Sequence, residues 1–180
     1  MMIRRSWLLS TLRSSLVILA SGNHCLLRAA SQPPDQAPSW RARDWNLAAA
    51  APHPGWVDQS SIQGAWAYID FWASWCAPCR LSFPFMNELQ ARYAPLGLKL
   101  YAISVDKEAR GVAAFLRQNP AEFKILWDPE GLAAKAFQVP AMPSSFLINP
   151  QGRIVMQHPG FRLADRERLT HAVGKAMEGR

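Results

Sequence analysis

The sequence predicts an α/β fold, a mixed sheet covered by helices on both faces, and three observations predict it. Residues 65–72 are almost continuously apolar and rich in aromatics, as a strand buried on both faces requires. Downstream of them, strand-like and helix-like apolar periods alternate along the chain. Further on, two short strand-like runs flank Asn149-Pro150-Gln151-Gly152, a turn composition that implies an antiparallel hairpin.

Residues 1–31 read as an export leader, with Arg4, Arg5 and Arg13 around Trp7, Leu8 and Leu9, then the apolar run 16–20 and small residues. That run is far short of the ~20 residues that span a bilayer. The expectation is a chain that is soluble after leader cleavage or anchored by the leader. The stretch Arg4-Arg5-Ser6-Trp7-Leu8-Leu9 also resembles a twin-arginine export motif. Residues 32–56, with Pro33, Pro34, Pro38, Pro52 and Pro54 and no sustained period, read as a linker, and 57–180 as one domain.

Within the domain, Met86, Leu89, Tyr93 and Leu96 recur at helical spacing after the first strand, and Gly97 supplies a stop. Pro84 inside this helix should kink it. Residues 98–105 form the next strand, Asp106 is a candidate N-cap, and Val112, Phe115 and Leu116 mark a helix ending before Pro120. Asp128-Pro129-Glu130 has the composition of a cap and first turn, opening a short helix expected to bury Leu132, Ala136 and Phe137. Residues 145–148 and 153–156 make the hairpin. The closing helix carries Leu169, Ala172, Val173, Ala176 and Met177 on one face.

The formal charge of +7 divides into +4 over residues 1–44 and +3 over the rest, and the basic residues after Trp45 are scattered. No phosphate-tracking stripe exists, so no nucleic-acid partner is expected.

The three cysteines are Cys25, Cys76 and Cys79. Cleavage of the leader beyond residue 25 leaves only the last two, and a bridge closing so short a loop stabilises little. Its use must be chemical. The segment Asp70-Phe71-Trp72-Ala73-Ser74-Trp75-Cys76-Ala77-Pro78-Cys79-Arg80 places a Cys-x-x-Cys where a buried strand gives way to a helix. Unpaired N–H groups and the positive end of the helix dipole there favour the Cys76 thiolate, the form that attacks a disulfide. Cys79, one turn on, is placed to resolve the mixed disulfide.

Half a zinc site has the same spacing, but His24, His53, His158 and His171 include no pair at zinc-finger spacing, so no metal is assigned. A copper-binding carrier using Cys76, Cys79 and His158 is the alternative from another functional class. A peroxidase would need a cysteine outside the pair. No organic cofactor is implied. Asp70 is the one ionisable residue in the most apolar strand, where burial should raise its pKa.

The cysteine segment, together with Pro84, Ala102-Ile103-Ser104-Val105-Asp106 and the stretch Val139-Pro140-Ala141-Met142-Pro143-Ser144-Ser145-Phe146-Leu147-Ile148, resembles the thioredoxin superfamily. With the leader it resembles the TlpA-type branch of extracytoplasmic disulfide reductases, over about residues 65–162. The resemblance implies a thioredoxin-like three-layer sandwich and a cis Pro143 facing the cysteines, with substrate bound by Pro143 and the main chain of Met142 beside a substrate-facing Trp75. It also implies that Asp70 exchanges a proton with Cys79. Two departures stand out: Ser82 occupies a position that is commonly glutamate in the members serving cytochrome c maturation, and Met142 replaces the usual Thr or Ile, so no specific substrate transfers. The expected function is a thiol:disulfide oxidoreductase that reduces or exchanges protein disulfides as a periplasmic monomer fed by a membrane-bound electron donor. A dithiol oxidase of the same fold is the alternative.

Overall fold

The structure is a computed structural model that describes residues 36–48 and 55–179. The predicted leader therefore lies outside the described residues, which fall within one unit, residues 32–180. Strand β1 (Arg41–Asp44) runs into a single helical turn, α1 (Trp45–Ala48), and β2 (Trp56–Asp58) returns antiparallel to β1. Next come β3 (Trp66–Trp72), the 17-residue α2 (Ala77–Tyr93), β4 (Leu98–Ser104) and α3 (Ala109–Gln118). The chain continues through β5 (Lys124–Trp127), the short α4 (Leu132–Ala136), the hairpin β6 (Ser144–Ile148) and β7 (Ile154–Pro159), and closes on α5 (Arg166–Glu178).

Among the described residues the sheet has seven strands in the order β2-β1-β5-β4-β3-β6-β7. β3 is central, parallel to β4 and antiparallel to β6, which explains its nearly unbroken apolar composition. Side chains of α2, α3 and α5 share one core with Tyr68, Trp72, Leu100 and Leu147. Trp40, Ala133 and Phe137 cover the other face with Ile69, Phe71, Ile103 and Phe146. This is the three-layer arrangement expected.

The sheet starts earlier than the sequence reading placed it. Within the segment read as linker, β1 pairs with both β2 and β5. Its inward residues are Ala42 and Asp44, the latter buried against Lys124, while Arg41 and Arg43 lie over the Trp56 ring. One alanine and one paired carboxylate leave no apolar period to read. β5 was missed because it is only four residues long.

Three local assignments also change. Asp106 does not cap α3, whose N-cap is Glu108. Asp128 is not the N-cap of α4 and Pro129 is not its first residue: the helix starts at Leu132 behind Gly131, and the Asp128 carboxylate accepts from the N–H groups of Leu132 and Ala134 from outside it. That shift turns Leu132 outward and buries Ala133 with Phe137. Leu96 is exposed as well, because the chain has left α2 for a 3₁₀ turn that ends at Gly97 with φ +94°. A left-handed residue of that kind is natural for glycine.

Two aromatic clusters fix the end of β3. Phe71 packs on Phe137 and Phe146 on one face, with centroids 5.3 and 5.9 Å away. Trp72 packs on Phe83 and Phe115 on the other, at 4.9 and 4.5 Å. Such pairs contribute about 0.5–1.5 kcal/mol each beyond their buried area. The last two residues of the strand are thus clamped from opposite sides just before the cysteine turn.

Candidate active site

The turn Ala73-Ser74-Trp75 carries the chain from β3 into α2. Its anchor is Asp106, a buried carboxylate just after β4. Asp106 accepts from the Ser74 N–H at 2.8 Å, the Ser74 hydroxyl at 2.7 Å and the Ser104 hydroxyl at 2.8 Å. The Arg80 guanidinium donates to the Ser74 carbonyl from the other side. Gly111 of α3 lies so close that an added Cβ would meet Ser74 Oγ at 2.9 Å and Asp106 Oδ1 at 3.2 Å. The turn is therefore held by groups 32 and more residues distant in sequence.

Cys76 is the N-cap of α2, and the Cys79 N–H donates to its sulfur at 3.2 Å. Pro78 sits in the first turn, where a missing N–H is not needed. Cys76 and Cys79 are joined by a disulfide. Cys76 is 4% exposed and Cys79 fully buried, so of the two only Cys76 reaches the surface. On reduction the same N–H group and the helix dipole face the Cys76 sulfur, conditions that favour a thiolate. Beside it Trp75 stands 70% exposed.

The Met142–Pro143 peptide bond is cis. Because β6 is antiparallel to β3 and pairs Ser144 with Phe71, Pro143 comes to the end of the sheet from which the cysteine turn departs. Pro143 is buried, while Met142 is half-buried and packs against both cores.

Asp70 lies mid-strand and fully buried, on the face of β3 that carries Tyr68 and Trp72, in the layer that includes Cys79. Its Oδ1 accepts from the Ser145 hydroxyl at 2.7 Å, and its Oδ2 has no hydrogen-bond partner. Burial raises its pKa from the ordinary 3.8 to about 7, against the opposing pull of the Ser145 hydrogen bond. Ser82, the departure noted in α2, is buried and donates to the Cys79 carbonyl at 3.1 Å.

The copper alternative is not supported by the geometry. His158 on β7 faces Asp165 at 3.5 Å, and among the described residues no three metal-ligating side chains come together. The sequence reading missed Ser145 as the partner of Asp70 and Asp106 as the anchor of the turn. The one available signal was polar composition, Ser144-Ser145 and Ser104 inside otherwise apolar strands.

Comparison with known proteins agrees with this architecture. Residues 34–157 match the AhpC/TSA family. The thiol-disulfide oxidoreductase ResA of Bacillus thuringiensis subsp. konkukian is 30% identical over 104 residues, 58% of this chain and 60% of its own length. ResA of Bacillus subtilis is 28% identical over 99 residues, 55% of each chain. The chain thus spans little more than half the length of these curated relatives. Among solved structures, one from Chlorobium tepidum, assigned as the thiol:disulfide interchange protein DsbE, superposes with a TM-score of 0.73 at 39% identity, over 81% of this chain and 98% of that one. A Bacteroides thetaiotaomicron structure shares the fold at 19% identity, with a TM-score of 0.70 over 82% of this chain and 91% of its own. A strand-to-helix Cys-x-x-Cys, a cis proline before β6 and these matches converge on one conclusion: the chain belongs to the AhpC/TSA family, on the TlpA-type branch of the thioredoxin superfamily.

Proposed function

We propose that the protein is an extracytoplasmic, periplasmic thiol:disulfide oxidoreductase that reduces or exchanges disulfides of protein substrates, with Cys76 as nucleophile and Cys79 as resolving thiol. The observation that carries the reading is the Cys76–Cys79 bond at the N-terminus of α2, with Cys76 the less buried of the two. In the reduced protein the Cys76 thiolate attacks one sulfur of a substrate disulfide. A mixed disulfide forms and the other substrate sulfur leaves as a thiolate, to be protonated by solvent. Asp70 then takes the proton of Cys79, whose thiolate attacks the Cys76 sulfur. The second substrate thiolate departs, and the protein dithiol has become a disulfide. Two electrons have passed to the substrate.

Trp75, the main chain of Met142 and Pro143 form the face on which the substrate chain lies in this reading, supported by the exposure of Trp75 and by the topology that brings Pro143 to the same sheet end. Return to the dithiol needs a two-electron donor. An oxidising compartment does not keep such a pair reduced, so the donor is membrane-bound and delivers electrons from outside that compartment. Among the described residues no helix is long and apolar enough to cross a membrane.

The test is to express Cys79→Ser in the exporting cell. The variant should accumulate partner proteins disulfide-linked through Cys76, and the adducts should vanish when Cys76→Ser is added. A folded, exported variant that captures no partner would count against the mechanism.

A further inference from the structure

The two carboxylate oxygens of Asp70 differ in their surroundings. One is bonded to Ser145, while the other is buried with no partner, an arrangement that costs free energy unless the free oxygen has a use. Ser145 is the residue directly opposite Asp70 across the β3–β6 ladder, so both side chains rise from the same face. Tyr68, two residues before Asp70, lies on that same face. Ser145 and Asp70 form a polar pair in a layer that is mostly apolar.

We propose that Ser145 is a positioning residue for Asp70: its hydroxyl occupies Oδ1 and turns the carboxyl so that Oδ2 alone exchanges a proton with Cys79. The inference rests on the proton-transfer role given to Asp70 above. A serine hydroxyl donating to the carboxylate favours the ionised form, the form that can accept a proton during resolution. Ser145 thereby counteracts the burial that would otherwise hold Asp70 protonated.

The titratable groups around Asp70 are few. Tyr68 shares its strand, Cys76 and Cys79 at the start of α2 belong to the same side-chain layer as Tyr68, and His158 on β7 is opposite Ser145 but is turned to Asp165. β4 presents Ala102 at the paired position, and the buried residues of α3 and α5 are Val112, Phe115, Leu169, Val173 and Met177, none of which titrates. With the cysteines bonded to each other they do not titrate either.

The experiment has two arms, both on the full chain. In the disulfide form, the carboxyl carbon of Asp70 is titrated by NMR in wild type, Ser145→Ala and Ser145→Thr. The alanine variant should move the midpoint upward by about one unit, a tenfold change in proton affinity worth about 1.4 kcal/mol, and threonine should restore it. In the second arm, reduced protein is mixed with 5,5′-dithiobis(2-nitrobenzoate), and the rate at which Cys79 displaces thionitrobenzoate from Cys76 is followed against pH. Ser145→Ala should slow this step several-fold near neutrality and recover it about one pH unit higher, as Asp70 ionises, while Asp70→Asn should stay slow until solvent itself takes the Cys79 proton, in the alkaline range of an ordinary thiol. An unmoved midpoint in Ser145→Ala, with the rate still sensitive to Asp70→Asn, overturns the role of Ser145 alone. A displacement rate indifferent to Asp70→Asn overturns the proton-transfer role of Asp70 and the inference built on it.

Discussion

Replacing Asp70 by asparagine should change the pH dependence of folding more than its value at any single pH. The carboxyl is fully buried, and burial raises its pKa to about 7 from 3.8. The folded state then holds the proton more tightly than the unfolded chain, so stability is greatest below about pH 4, falls through the interval to about pH 7, and levels off above it. A displacement of about three units at 1.36 kcal/mol each amounts to about 4 kcal/mol lost from acid to alkali. Asparagine keeps an acceptor for the Ser145 hydroxyl but puts an amide donor where Oδ2 has no partner, at a pH-independent cost of about 1–3 kcal/mol. Asp70→Asn should therefore be the less stable protein at pH 4 and the more stable at pH 8.5, the difference between the two swinging by about 4 kcal/mol. Urea unfolding of both disulfide forms, repeated across that range, measures it. Curves that stay parallel would show that Asp70 is ionised in the folded protein at ordinary pH, and the reasoning about its burial would fail.

Two further predictions follow from the turn and the cysteines. Asp106→Ala removes the acceptor of three hydrogen bonds at the cysteine turn and should cost about 2–4 kcal/mol in urea unfolding, with Asp106→Asn milder. A loss below about 0.5 kcal/mol would mean the turn is not held from Asp106. The pair Ala77-Pro78 places no cationic side chain between the cysteines, so equilibration with glutathione should give a potential on the reducing side of about −200 mV, nearer thioredoxin at about −270 mV than DsbA at about −120 mV. A potential above about −150 mV would assign the dithiol oxidase instead.

Much of this arrangement was legible where the sequence signal is local. The run 65–72 reads as a central strand because burial on both faces removes polar residues. The cysteine spacing places both thiols at a helix start because one helical turn separates them. Long-range polar pairing has no such signature: Ser145 and Asp70 are 75 residues apart, Ser74 and Asp106 are 32 apart, and neither serine differs in the sequence from a residue in a turn. β1 was hidden for a different reason, because its inward side chains are Ala42 and a charge-paired Asp44. Asp128 was expected as the N-cap of α4, but Gly131 holds that position and the Asp128 carboxylate reaches N–H groups four and six residues ahead of it. His158 was considered as a third copper ligand beside the cysteines by analogy with copper carriers of the thioredoxin fold, and the structure sets it 3.5 Å from Asp165 instead.

The central claim is that Cys76 and Cys79 together deliver two electrons to a protein disulfide. It is tested most directly by mixing pre-reduced protein with one disulfide-bonded protein substrate, without any other reductant, and counting thiols and adducts by mass spectrometry. Wild type should reduce one substrate disulfide per chain and end with Cys76 bonded to Cys79. Cys79→Ser should stop at a mixed disulfide on Cys76, and Cys76→Ser should reduce nothing. Substrate reduction by Cys76→Ser at the wild-type rate would contradict the account.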